Sequence, residues 1–228
     1  AQSLLFGWIA VYMYEGDAPL AERRAAALAL DRDLLRDLLG AEELRDLLDP
    51  QVLADLEDEL QRITPARHAR DADEVADLLR ILGPLTTTEL AARTVAGVGA
   101  EPEQVMTGLV AERRALQVVI AGEDRWAAAE DAGRLRDALG CAIPTGLPTA
   151  FTDPVDDPIE GLVVRHGRTH GPFLTRDVAR RLDLPADRLR PVLDRLVAEG
   201  RLVVGEFRPG GVDREWCDPE VLRQLRRR

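Results

Sequence analysis

Apolar residues recur along much of this chain at intervals of three and four, the spacing that gathers them on one side of an α-helix. Phe6, Ile9, Ala10 and Met13 form one such stripe, and Leu34, Leu35, Leu38 and Leu39 another. Asp31 is placed to cap the segment ending near Gly40, and Asp49-Pro50 marks a new helix start ahead of Val52, Leu53, Leu56 and Leu60. Residues 1–68 are therefore expected to form a helical packing region. Trp8, Tyr12 and Tyr14 read as core or interdomain packing, with ligand stacking the alternative. So abrupt a hydrophobic opening suggests that the chain is a piece of a longer one.

An imperfect repeat begins near residue 71 and again near residue 157. In the first copy Asp71 and Glu74 cap a helix carrying Val75, Leu78, Leu79 and Leu82, and Gly83-Pro84-Leu85 turns the chain. In the second, Ile159, Leu162 and Val163 precede Gly171-Pro172-Phe173. Thr87, Glu89, Leu90, Ala91 and Arg93 lie 88 positions before Thr175, Asp177, Val178, Ala179 and Arg181. Each copy continues with a helix, led by Glu101-Pro102 or Leu184-Pro185, and then an extended pair. The pairs are 117–120 with 125–128 around Ala121 to Asp124, and 202–207 with 214–217 around Pro209-Gly210-Gly211. Trp126 and Trp216 are expected to close the two cores. The predicted fold is mainly α, an N-terminal helical region followed by tandem winged-helix domains with short β-hairpin wings. The boundaries are 69–140 for the first winged helix, 141–158 for a Pro-rich linker and 159–228 for the second. The linker's apolar residues allow it either to be a flexible string or to lie fixed in a groove between domains.

Charge refines this picture. The 228 residues hold 30 basic and 41 acidic side chains, a net charge of −11, and every basic residue is Arg. Residues 159–228 contain 15 Arg against 11 acidic groups, whereas the preceding part is strongly acidic. That asymmetry suits an acidic scaffold with a basic module directed at nucleic acid or at an acidic protein partner. Cys141 and Cys217 supply neither a disulfide framework nor an all-cysteine metal site, and no membrane span is read in the sequence. A cytoplasmic protein with no membrane partner is expected.

Winged helices can lay their third helix in a major groove while the wing touches the backbone. In the second copy Leu189, Val192, Leu193 and Leu196 make the buried face, leaving Arg188, Arg190 and Arg195 exposed but interrupted by Asp187, Pro191 and Asp194. Those acids repel phosphates, so packing or plain exposure competes with base reading there. Arg208 and Arg214 bracket the wing, Arg201 lies near the same end, and Arg223, Arg226, Arg227 and Arg228 extend the basic surface. The candidate nucleic-acid contacts are thus Arg188, Arg190, Arg195, Arg201, Arg208, Arg214, Arg226 and Arg227. In the first copy Arg113, Arg114 and Arg125 are diluted by Glu112, Glu123 and Asp124, which points to packing. His68, His166 and His170 have no metal-ligand spacing with the cysteines and read as surface or capping residues. Catalytic and metal residues are expected to be none. The acidic pairs read as solvated faces, and no GxxxxGK[ST] phosphate loop occurs, so no cofactor is expected in this segment.

Residues 12–40 (YMYEGDAPLAERRAAALALDRDLLRDLLG), 119–140 (VIAGEDRWAAAEDAGRLRDALG), 169–182 (THGPFLTRDVARRL) and 205–228 (GEFRPGGVDREWCDPEVLRQLRRR) carry a family resemblance. Together they resemble the C-terminal region of Lhr, the bacterial large helicase-related protein, across nearly the whole chain. The resemblance implies an accessory region downstream of an ATP-dependent 3'-to-5' DNA-repair helicase core acting on DNA:DNA and RNA:DNA duplexes. ATP and Mg would belong to that core. The expected partners are the remaining domains of the parent helicase, DNA or an RNA:DNA hybrid, and further copies in a homo-oligomer. The fragment itself is not expected to be an enzyme. A transcription regulator using tandem winged helices and a DNA-glycosylase-like repair module are the alternatives, although no glycosylase motif maps onto these residues.

Overall fold

The computed structural model describes residues 49–97, 102–208 and 213–228, all within the second of the chain's two compact units, 45–228. The stripes, cap and aromatic residues read in residues 1–48, and the Pro209-Gly210-Gly211 turn, lie outside the described residues.

Helix α1 spans Pro50–Leu60. The Asp49 carboxylate accepts from the Gln51 N–H at 2.8 Å, and Pro50 sits in the first turn, where no N–H is required. Helix α2 (Ala72–Leu82) starts on two bonds of 2.9 Å, Glu74 N–H to the Asp71 carboxylate and Arg70 N–H to the Glu74 carboxylate. It ends at Gly83, whose φ of 84° an L side chain rarely adopts. A capping box between Thr86 and Glu89 opens α3 (Thr87–Ala91), and α4 follows at Pro102–Ala111. Strands β1 (Ala115–Ile120) and β2 (Glu123–Ala128) pair antiparallel, Ala115 opposite Ala128 and Ile120 opposite Glu123. The connection is two residues, Ala121 and Gly122, rather than the four expected. Both take positive φ, 54° and 76°, the left-handed pair that matches the twist of a tight hairpin. Helix α5 (Ala132–Leu139) completes this first lobe.

The segment 141–158 is held in place, and contains a short helix α6 (Thr149–Thr152). Arg136 Nη1 donates to the Thr152 carbonyl at 2.7 Å and Val155 N–H to the Asp137 carboxylate at 2.9 Å. Gly133 admits this segment closely: a Cβ there would stand 2.6 Å from the Asp153 carbonyl oxygen. The second lobe comprises α7 (Pro158–Thr169), α8 (Thr175–Leu182), α9 (Ala186–Ala198), β3 (Val203–Gly205) paired antiparallel with β4 (Glu215–Cys217), and α10 (Pro219–Arg227).

The two lobes repeat their internal bonds. Trp126 Nε1 donates to Thr87 Oγ1 at 3.0 Å, and Trp216 Nε1 to Thr175 Oγ1 at 3.0 Å. Leu85 bridges Trp126 antiparallel as Phe173 bridges Trp216. Each indole thus joins its hairpin to the start of the second helix of its lobe.

The hairpins are two-faced because side chains alternate along a strand. In the first, Ala115, Trp126 and Ala128 pack into the first lobe with Leu79, Leu85, Leu90 and Met106. Leu116, Val118, Ile120 and Ala127 belong instead to a core shared with Leu162, Val163, Phe173, Val178 and Leu182 of the second lobe. At about 1.5–3 kcal/mol for a fully buried aliphatic side chain, Val118 and Ile120 alone contribute several kcal/mol to lobe docking. In the second hairpin, Val203 and Cys217 pack with Val221, Leu222 and Leu225 of α10 and with Leu56 of α1. Helix α1, which precedes the first lobe in sequence, is therefore part of the second lobe's packing.

Candidate nucleic-acid interface

The joint between the lobes determines which arginines remain available. Asp131, 3% exposed, follows the first hairpin and does not cap α5. Its carboxylate instead takes a two-pronged contact from Arg165 of α7, at 2.5 and 2.8 Å, and a third from Arg134 at 2.7 Å. Glu89 of α3 receives Arg181 of α8 at 2.6 and 3.1 Å, and Arg181 also donates to the Pro84 carbonyl at 2.7 Å. Burial raises the Glu89 pKa, but Arg181 and the Thr86 N–H outweigh it and hold the carboxyl below its ordinary value. Arg125, 5% exposed, donates to the Arg181 carbonyl at 3.0 Å. Arg93 reaches Gln61 beyond α1 with two bonds, 2.7 and 3.0 Å, and Gln61 donates to the Thr169 carbonyl at 2.5 Å.

The eight candidate arginines divide by partner. Arg195 pairs with Asp157 at 2.9 Å and Glu160 at 2.8 Å, and Arg201 pairs with Glu160 and Glu199. Arg208 folds back onto Glu215, a carboxylate 2% exposed that also accepts the Phe207 and Arg208 N–H groups at 2.8 Å. Arg188 and Arg190 stand exposed on α9, and Arg214 is exposed at the start of β4; none has an ion pair among the described residues. Arg226 and Arg227 are exposed in the last turn of α10, where the helix carbonyls favour cations.

Only Arg190 and Arg214 of the eight line a common groove, of about 600 Å³, between α8, α9 and the second hairpin. Trp216, Leu174 and Val197 also line it, with Asp194 and Asp213 contributing negative charge. Arg176 lines the groove too, paired with Asp213 at 3.0 Å with 69% of its side chain exposed, and Arg180 is 84% exposed one turn on. Neither residue stands out among the arginines of the sequence. Their i,i+4 spacing, opposite buried Val178 and Leu182, was the available signal. In the first lobe Arg114 is tied to Asp73 at 2.7 Å and Glu112 at 3.3 Å.

His166 and His170 depart from the first of the two roles, surface or capping, expected of the histidines. His166 and His170 are half-buried and stacked, ring centroids 3.7 Å apart, with Phe173 edge-on to His166 at 4.8 Å. His170 nonetheless ends α7, its Nδ1 lying 2.9 Å from the His166 carbonyl oxygen. Burial pushes the His170 pKa down to about 4 and drives His166 well below its ordinary value. Cys141 and Cys217 are buried thiols, and burial pushes Cys217 up to about 12. Among the described residues no three His, Cys, Asp or Glu side chains converge as a metal site, and no helix is long and apolar enough to cross a membrane.

Residues 46–154 match the family of winged-helix domains of the large helicase-related protein. Over 229 aligned residues the whole chain is 52% identical to the Lhr helicase/probable uracil glycosylase of Mycolicibacterium smegmatis and 40% identical to the Lhr helicase/uracil glycosylase of Escherichia coli. It spans 15% of the first protein's length and 14% of the second's.

Proposed function

The chain belongs to the bacterial large helicase-related (Lhr) family, and from that premise we propose that it is a tandem winged-helix accessory region in the C-terminal part of an ATP-dependent 3'-to-5' DNA-repair helicase. Its role is to hold neighbouring domains, or copies of the parent in a homo-oligomer, in fixed relation. The second lobe adds sequence-independent contact with DNA or an RNA:DNA hybrid. ATP and Mg act in the parent's motor, whose phosphate-loop motif does not occur in this sequence.

The observation that carries this reading is the spending of the first hairpin on the second lobe. A wing whose Val118 and Ile120 are 3% exposed between lobes is a joint, not a free finger. Backbone contact then falls to the second lobe, where Arg176, Arg190 and Arg214 share one groove. Asp194 and Asp213 in the same groove oppose tight base reading, which favours weak phosphate contact over an operator-binding regulator. The test is binding of this chain to single-stranded DNA, duplex DNA and an RNA:DNA hybrid at several salt concentrations, with molecular mass measured on the same sample. Weak, salt-sensitive binding without sequence preference is expected; sequence-selective nanomolar binding to one operator would overturn the reading.

A further inference from the structure

We propose that the cleft where α1, the first hairpin and the second lobe meet binds a single unpaired nucleotide. This rests on the nucleic-acid role proposed above but uses a different surface. The cleft is open to solvent, has a volume of about 850 Å³ and is walled by Leu53 of α1, Pro172 and Phe173 on its apolar side. The stacked His166 and His170 rings add a flat aromatic element.

Four buried side-chain nitrogens among the described residues have no hydrogen-bond partner, and three belong to residues lining this one cleft: Arg125 Nε, His166 Nε2 and Arg208 Nη2. The two Nη groups of Arg125 are committed to the Arg181 carbonyl and to Glu123, leaving Nε. Arg208 Nε is committed to Glu215, and its Nη2 stands 3.7 Å from Asp177, too far for a hydrogen bond. Buried polar groups are nearly always satisfied, so three unpartnered nitrogens on residues lining one cleft mark a wall whose Arg125, His166 and Arg208 side chains gain partners only by turning toward a bound ligand.

The charge pattern says which ligand. Arg125, Arg180, Arg181 and Arg208 face Glu57, Glu123 and Asp177, so the lining is close to balanced. Glu89 and Glu215 further offset Arg181 and Arg208. A bare anion gains little from such a site. A nucleotide uses both signs: phosphate and keto oxygens accept from the guanidinium groups, while amino or imino groups of the base donate to the carboxylates. Glu57 suits the second task, since burial raises its pKa despite the Gly171 N–H it accepts. A paired base has its edge occupied already, so the fitting unit is unpaired.

The experiment is titration of the whole chain with adenosine and thymidine 5′-monophosphates, followed by the histidine Hε1 resonances. Saturable shifts are expected at His166 and His170 and none at His68, whose Nε2 is engaged 2.7 Å from the Ile63 carbonyl oxygen. Arg180→Gln alters an 84% exposed side chain and is expected to leave the melting temperature unchanged while weakening binding about tenfold. Arg125→Lys, which keeps the charge and removes Nε, should weaken it similarly; if that variant fails to fold, Arg180→Gln decides. Inorganic phosphate at equal concentration should not displace the nucleotide. No shift, equal displacement by phosphate, or an unaffected Arg180→Gln variant overturns the proposal. Arg190→Gln with Arg214→Gln should leave this titration unchanged, which separates its failure from that of the groove reading.

Discussion

Asp131→Asn tests the lobe joint directly. Asn nearly preserves the shape of Asp131 and keeps one oxygen for Arg165, so the variant isolates the loss of charge. The carboxylate is 4% exposed and Arg165 17%, so the pair is close to the buried limit and solvent cannot repair the loss. Breaking such a pair by neutralising one partner costs about 3–5 kcal/mol, because the remaining cation stays desolvated without its counterion. With a urea slope of about 2 kcal/mol per M, the unfolding midpoint should fall by about 1.5–2.5 M. The assay is urea unfolding followed by tryptophan fluorescence in a Trp8→Phe background, which leaves Trp126 and Trp216, one in each lobe, as reporters. Asp131→Leu with Arg165→Met removes the buried pair, leaving Arg134, 32% exposed, to solvent, and should restore most of the loss, giving strong coupling in the cycle closed by the two single variants. A cost below about 1 kcal/mol for Asp131→Asn, or simple additivity of the two changes, would refute the assignment of this pair as the polar lock of the joint.

Three further outcomes are expected. Ala121→Asn places Asn-Gly in a turn whose φ values are both positive and should stabilise by about 0.5–1 kcal/mol, read as a higher melting temperature. Trp126→Phe and Trp216→Phe each lose an indole bond of 3.0 Å to a threonine hydroxyl and should cost about 1–2 kcal/mol apiece in urea unfolding. The folded pKa of His170 is about 4 and that of His166 is also lowered, so the unfolded chain takes up protons first as pH falls below about 6.5. Stability should therefore decline between about pH 6.5 and 4, by up to about 1.4 kcal/mol per unit for each histidine. Glu57, with a raised pKa, acts in the opposite sense at the acidic end. His170→Gln should flatten the urea-midpoint profile between pH 6.5 and 5.

The local parts of this fold were legible in the sequence because local rules govern them. Asp49-Pro50, Asp71 with Glu74, and Gly83 mark helix boundaries wherever they occur. The 88-residue offset between Thr87 and Thr175 marks the duplication, although nothing in it announces the indole bonds that the two hydroxyls accept. Partners across the chain were not legible. The alternation of Leu116, Val118 and Ile120 predicts a strand with one buried face, but not that the second lobe covers it. The periodicity of α1 likewise predicts an apolar stripe and not its packing with Val221, Leu222 and Leu225. Arg195 and Arg201 look as free in sequence as Arg190. Their partners, Asp157 and Glu160, lie 35 to 41 positions away and meet them only when α7 packs on α9. The cleft lined by Glu57, Arg125 and His166 draws on three separate segments and has no local signature at all.

Contact between nucleic acid and the exposed arginines of the second lobe of this rigid two-lobe scaffold is read from the salt dependence of duplex binding in two variant pairs. Arg190→Gln with Arg214→Gln removes exposed groove cations, whereas Arg195→Gln with Arg201→Gln removes arginines already paired with Asp157, Glu160 and Glu199. The first pair should lower the slope of log K against log salt by about 1.8, two phosphate contacts at about 0.9 each, and the second should leave it nearly unchanged. Equal slopes in both variants, or a larger loss in the second, would rule out contact through Arg190 and Arg214.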